Sequence, residues 1–165
     1  MRGASENRRL TGGCQCGAVR FACEGLGRAS ICHCRMCQKA FGNAFAPLVT
    51  AKGLVWTRGE PKRFSSSNKV RRGFCAECGT PLTYEFEGEH VELAICAFDD
   101  PTLAPPALQV GIESRIPWCD GLLDLPTRSA EEIARLTPFF SGITSRQHPD
   151  HDTAVWPKIP SGAGE

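Results

Sequence analysis

The chain is short of the features that would send a protein to a membrane or to nucleic acid. No apolar run in its 165 residues is long enough to cross a bilayer as a helix. The opening stretch, Met1-Arg-Gly-Ala-Ser-Glu-Asn-Arg-Arg-Leu10, has no apolar core of the signal-peptide kind, which sets the expectation of a cytoplasmic protein. Net charge is nearly absent: 19 Lys and Arg against 18 Asp and Glu leave a formal +1. A dedicated nucleic-acid binder carries a basic stripe. Here Arg8-Arg9 and Arg71-Arg72 are only pairs, read as solvated surface. No nucleic-acid or membrane partner is expected.

Cysteine is abundant by contrast, with ten in the chain. In a reducing compartment such a count points to metal or catalysis rather than disulfides. Spacing agrees. The chain is organised around Ile31-Cys-His-Cys-Arg-Met-Cys-Gln38, where Cys32, Cys34 and Cys37 fall close together. Alternation in an extended Cys-x-Cys puts both sulfurs on one face and turns His33 to the other. A turn through Arg35 and Met36 brings Cys37 to the same point. Thr11-Gly-Gly-Cys-Gln-Cys-Gly17 supplies a second Cys-x-Cys, Cys14 and Cys16. Cys75-Ala-Glu-Cys-Gly79 has the shape of a zinc knuckle, with Gly79 free to take the left-handed backbone such a turn needs.

A closed structural zinc takes four ligands, whereas a chemical zinc site keeps one position open. Seven chelating thiols therefore divide as four and three. Cys14, Cys16, Cys75 and Cys78 complete one tetrahedron that staples distant parts of the chain, and Cys32, Cys34 and Cys37 remain as an open site. The competing reading lets the trio borrow Cys96, Cys119 or His33 and become structural. Cys23, Cys96 and Cys119 otherwise read as buried thiols. His148 and His151 invite a metal reading, but Pro149 lies between them and a solvated tail is favoured.

Along the chain, short strands are predicted at 18–22, 44–50, 53–56, 62–64, 81–86, 91–95 and 108–112, with 70–74 leading into the knuckle and a hairpin turn at Glu87-Gly88. A helical turn is expected at 38–41, stopped by Gly42. Residues 122–126 are expected to close the domain. Ser129, with acids after it, caps a helix over 129–136. Frequent Gly and Pro with few helices predict an all-β fold of mainly antiparallel short strands, stapled by zinc, with one short C-terminal helix. The expected organisation is a flexible 1–10, a zinc-binding domain over 11–126, and a helix with a polar tail over 127–165.

The motifs Gly12-Gly-Cys-Gln-Cys-Gly17, Cys32-His-Cys-Arg-Met-Cys37 with Gly42 behind it, and Arg72-Gly-Phe-Cys-Ala-Glu-Cys-Gly79 resemble the glutathione-dependent formaldehyde-activating enzyme family, also called the centromere protein V family. Asp99-Asp-Pro101 and Arg115-Ile-Pro-Trp118 extend the match, which runs from about Thr11 to about Pro126. Two positions depart from it, Gln109 where relatives often have His and Cys96 where a small residue is common. The resemblance implies a zinc-bearing β fold like that of the Mss-four Rab-binding protein. It also implies a structural zinc on Cys14, Cys16, Cys75 and Cys78 and a second zinc on Cys32, Cys34 and Cys37, two per chain.

The activity implied is that of a carbon–sulfur lyase, joining glutathione or a similar thiol to an aldehyde such as formaldehyde. A metal-held thiol is more readily ionised, and its thiolate beside a carbonyl is a nucleophile aimed at carbon. Arg35 and Lys39 flank the trio and could receive a carboxylate of the thiol; exposed charge on a helical turn is the plainer alternative. A non-catalytic zinc module that binds a protein is the rival function, since no acid or base stands at fixed spacing around the trio.

Overall fold

Phe21, Leu82, Leu93 and Val49 are fully buried, and the strands that carry them define the fold. The structure, a computed structural model, describes residues 9–86 and 90–156. Strands β1 (Leu10–Gly13), β2 (Arg20–Cys23) and β5 (Val55–Arg58) make a small antiparallel sheet in the order β1-β2-β5. The larger sheet has the order β10-β3-β4-β9-β8-β7-β6. Its members are β3 (Gly25–Cys32), β4 (Ala46–Lys52), β6 (Lys62–Ser65), β7 (Val70–Phe74), β8 (Pro81–Phe86), β9 (Val91–Ala94) and β10 (Leu108–Val110). All neighbours are antiparallel except β10, which runs parallel to β3. The predicted all-β, mainly antiparallel architecture is what is observed.

The core lies where the two sheets meet. Phe21 packs edge-on against Phe98 at 5.0 Å and Trp56 at 6.0 Å between ring centroids. Burying a side chain of this size contributes about 1.5–3 kcal/mol, and truncating it to Ala would cost about 3–5 kcal/mol. Cys23 is fully buried, as expected.

Several expectations need correction. Leu10, assigned to a flexible end, already pairs with Cys23 in β1. The helix at the trio, α1 (Arg35–Phe41), starts earlier than expected because the Cys34 sulfur accepts from the Cys37 N–H and serves as its N-cap; it ends at Gly42. The strand expected over 108–112 stops at Val110, since Gly111 is left-handed at φ +64° and a 3-10 turn follows at Ile112–Ser114. Residues 122–126 do not close a core: Leu123 is fully exposed and Leu125 largely so. Cys96 is exposed and Cys119 half-buried, so neither fills the core. The hairpin turn at Glu87-Gly88 lies outside the described residues, although β8 and β9 pair as that hairpin requires. Helix α2 (Ala130–Ser141) has Ser129 as its N-cap, as predicted, but runs on through Pro138 with no residue buried.

The tail is the largest correction. Rather than solvated, part of it folds back over the start of the domain. His148 is buried, and its N–H donates to the Gln15 carbonyl at 2.7 Å. The Trp156 indole donates to the Cys16 carbonyl. Arg58 donates to His148 Nε2 at 3.3 Å and to the Thr153 hydroxyl at 3.2 Å. Arg20, also buried, is bonded to both Asp99 and Asp152. His151 stays exposed, and among the described residues neither histidine belongs to a group that could hold a metal.

Candidate metal centres

Two groups of sulfurs converge, and they are the two that spacing proposed. Cys14 and Cys16 follow β1, while Cys75 and Cys78 lie in the turn between β7 and β8. Their four sulfurs all lie within 4.8 Å of one another. Cys14 and Cys16 are 3.6 Å apart and Cys16 and Cys75 3.8 Å, and all are free thiols. A zinc–sulfur bond of about 2.3 Å sets sulfurs about 3.8 Å apart on a tetrahedron. The donor set therefore fits zinc in chemistry and in spacing.

Local bonds hold this cradle open. The Val19 N–H donates to Cys14 Sγ at 3.3 Å. The Thr80 hydroxyl accepts from the Gln15 N–H at 3.0 Å, which leaves its own hydrogen for Cys78 Sγ at 3.1 Å. Burial pushes the Cys16 thiol up and Cys75 up to about 11. At Cys78 burial acts the same way, but the Thr80 hydroxyl and nearby backbone N–H groups outweigh it and bring the thiol down to about 6.

The second group has three sulfurs from one local stretch. Cys32 ends β3, Cys34 caps α1, and Cys37 sits in its first turn with its N–H 3.4 Å from Cys34 Sγ. The three lie within 4.8 Å of one another, and among the described residues no fourth His, Cys, Asp or Glu joins them. Cys96, Cys119 and His33 are thus not the missing ligand. His33 is buried with Nε2 2.8 Å from Gln109 Oε1, and its ring meets Phe45 edge-on. Buried Gln38 donates to the His33 and Ser114 carbonyls at 2.7 and 2.9 Å, which ties α1 to the chain after β10.

Sequence reasoning missed Arg72 here. It is 3% exposed, not the solvated partner of Arg71 that a basic pair suggests. Its Nη2 donates to Cys37 Sγ at 3.3 Å, its Nε to the Ser66 hydroxyl at 3.0 Å, and its guanidinium carbon stands 5.0 Å over the Tyr84 ring. The signal was available: β7 alternates, with Val70 buried and Arg71 exposed, so Arg72 must turn inward. Burial outweighs Arg72 in setting the Cys37 thiol, which is pushed up to about 12. At half-buried Cys34 burial opposes ionisation too, but the Cys37 N–H and neighbouring sulfurs prevail and lower it.

Neither Arg35 nor Lys39 is hydrogen-bonded to the sulfurs. Both are exposed on α1, where they line a cleft with Met36, Phe64 and Ser66, and Arg35 donates to Gln38. Ser66, which anchors Arg72, is thus shared between the cleft and the sulfur centre.

The chain is a β protein with a quartet and a trio of thiols, each of which could hold a metal ion. The glutathione-dependent formaldehyde-activating enzyme family model matches residues 9–114, and the chain belongs to that family. Membership supports a formaldehyde-activating function with glutathione, and the two cysteine groups could each hold a metal ion. Among curated proteins no sequence matches the chain. No helix among the described residues is long and apolar enough to cross a membrane.

Proposed function

We propose that the chain is a zinc-dependent carbon–sulfur lyase that adds a thiol, glutathione or a close analogue, to an aldehyde such as formaldehyde, and runs the reverse cleavage. The observation that carries this reading is the sulfur trio that no fourth His, Cys, Asp or Glu joins among the described residues, beside a cleft bearing two cations. A zinc there would offer an open position that favours the ionised form of an incoming thiol.

The chain's own residues do the rest. Cys32, Cys34 and Cys37 fix the site at the junction of β3 and α1, and Gln38 holds that junction against the 111–114 turn. Arg35 and Lys39 receive the carboxylates of the thiol substrate from the cleft, so that its sulfur is presented toward the trio. In the reaction a carbon–sulfur bond forms, the carbonyl π bond breaks, and the thiol proton ends on the former carbonyl oxygen. No redox change occurs. Cys14, Cys16, Cys75 and Cys78 would hold the structural zinc, which serves the fold.

Ten free thiols suit a reducing compartment, and we place the protein in the cytoplasm. The working unit is the zinc-binding domain that begins at β1, with the segment around His148 to Trp156 docked on the loop that carries Cys14 and Cys16. Purified zinc-loaded protein mixed with a panel of thiols and labelled formaldehyde tests the function. Faster appearance or cleavage of S-hydroxymethyl thiol by NMR, best with a carboxylate-bearing thiol, is expected. Rates equal to those without protein across the panel would remove the enzyme reading.

A further inference from the structure

Arg20 and Arg72 are equally buried, each 3% exposed, yet they are satisfied differently. Arg20 has two carboxylates, Asp99 and Asp152. Arg72 has none among the described residues. Its bonds go to the neutral Ser66 hydroxyl and to Cys37 Sγ, with the Tyr84 ring beneath it. A buried guanidinium without a counter-anion is costly.

A second observation points the same way. Two buried side-chain nitrogen or oxygen atoms among the described residues have no hydrogen-bond partner, His33 Nδ1 and Arg72 Nη1. His33 faces Gln109 and Phe45 rather than the sulfurs, whereas Arg72 touches Cys37. Of these two atoms, Arg72 Nη1 belongs to the guanidinium that meets the sulfur centre.

We propose that Arg72 is the counter-charge and positioning residue of the three-cysteine centre. Three thiolates around a divalent zinc carry a formal −1. The guanidinium brings the assembly to zero and, through Nη2, fixes the sulfur of buried Cys37 in place. Ser66 and Tyr84 fix the guanidinium in turn. The trio thereby keeps its metal without a fourth protein ligand, leaving the remaining position for substrate. The inference rests on the proposed function only in taking the trio to hold a metal.

The quartet serves as an internal control. Zinc-loaded wild type, Arg72→Met and Arg72→Lys are titrated with a chelator while native mass spectrometry counts zinc per chain. Loss of a group that supports a metal ligand typically lowers affinity roughly 10–100-fold. In Arg72→Met the second zinc should leave at roughly 10–100-fold less chelator, while the first zinc leaves as in wild type. Arg72→Lys, which keeps the charge but not the fork, should fall between. Unchanged release curves, equal weakening of both zincs, or a Lys variant no better than Met would overturn the proposal, as would a wild type that never holds a second zinc. If Arg72→Met is insoluble, Ser66→Ala decides: it should weaken the second zinc alone by a few-fold, and an unchanged curve overturns the proposal. A wild type that holds two zincs but turns over no thiol and aldehyde would defeat the proposed function and leave these curves to judge Arg72.

Discussion

Gly17 and His148 occupy adjoining space that neither could share with a larger neighbour. A Cβ on Gly17 would lie 2.2 Å from His148 Cδ2, and Gly17 has φ +79°. The C-terminal segment is docked on the loop that carries Cys14 and Cys16, and Gly17 is the condition for that docking. In Gly17→Ala the left-handed backbone alone costs about 1–2 kcal/mol, and the methyl displaces the imidazole. The His148 amide, which donates to the Gln15 carbonyl, should then exchange with solvent much faster than in wild type. Equal exchange in the two proteins would show that the docking does not depend on this contact.

Acid should loosen the same region through Asp99. Burial raises the Asp99 carboxyl, but the two Arg20 bonds at 2.6 and 2.7 Å and the Thr11 hydroxyl prevail and hold it below the ordinary range. A lowered folded pKa gives stability that is present in full above the unfolded value, about 3.9, and is lost as pH falls through the folded value. Asp99→Asn should be less stable than wild type at pH 7 by about 3 kcal/mol, the low end for breaking a buried pair, because Asp152 still faces Arg20. In urea unfolding the gap between the two proteins should narrow as pH drops below about 4. A gap that stays constant into acid would contradict the assignment.

Gly111 supports the open centre from outside it. At φ +64° it lies so close to α1 that a Cβ would be 2.8 Å from the Cys34 N and 3.2 Å from its Cβ. Gly111→Ala should push Cys34 off the trio. The expected result is a folded protein that keeps one zinc and loses the other, measured by metal analysis and circular dichroism. Retention of two zincs would mean that β10 does not set the position of Cys34.

Both sulfur groups were legible in the sequence because chelation imposes short, local spacing that survives any fold. Alternation also located most strands, since period-two burial is a property of each strand by itself. What was hidden depends on contacts between distant segments. Nothing local to His148, Asp152 or Trp156 says that they will find Cys16 and Arg20. Cys34 as the cap of α1 was missed because thiols are not common N-caps. Arg72 was read with Arg71 as a basic pair, although its place in an alternating strand set the two on opposite faces.

The central claim is that the two centres differ in kind, and paired substitutions test it most directly. Cys75 joins the knuckle to Cys14 and Cys16 across the molecule, whereas Cys37 joins residues of one local stretch. A structural zinc accounts for about 10–16 kcal/mol of apparent binding free energy, as much as the whole stability of a typical domain, about 5–15 kcal/mol. Circular dichroism, zinc content and thiol–aldehyde turnover should be measured on Cys75→Ser and Cys37→Ser side by side. The account predicts an unfolded or insoluble Cys75→Ser, and a folded Cys37→Ser with one zinc and no turnover. A Cys37→Ser protein that unfolds as completely as Cys75→Ser, or one that folds and turns over at the wild-type rate, would contradict it.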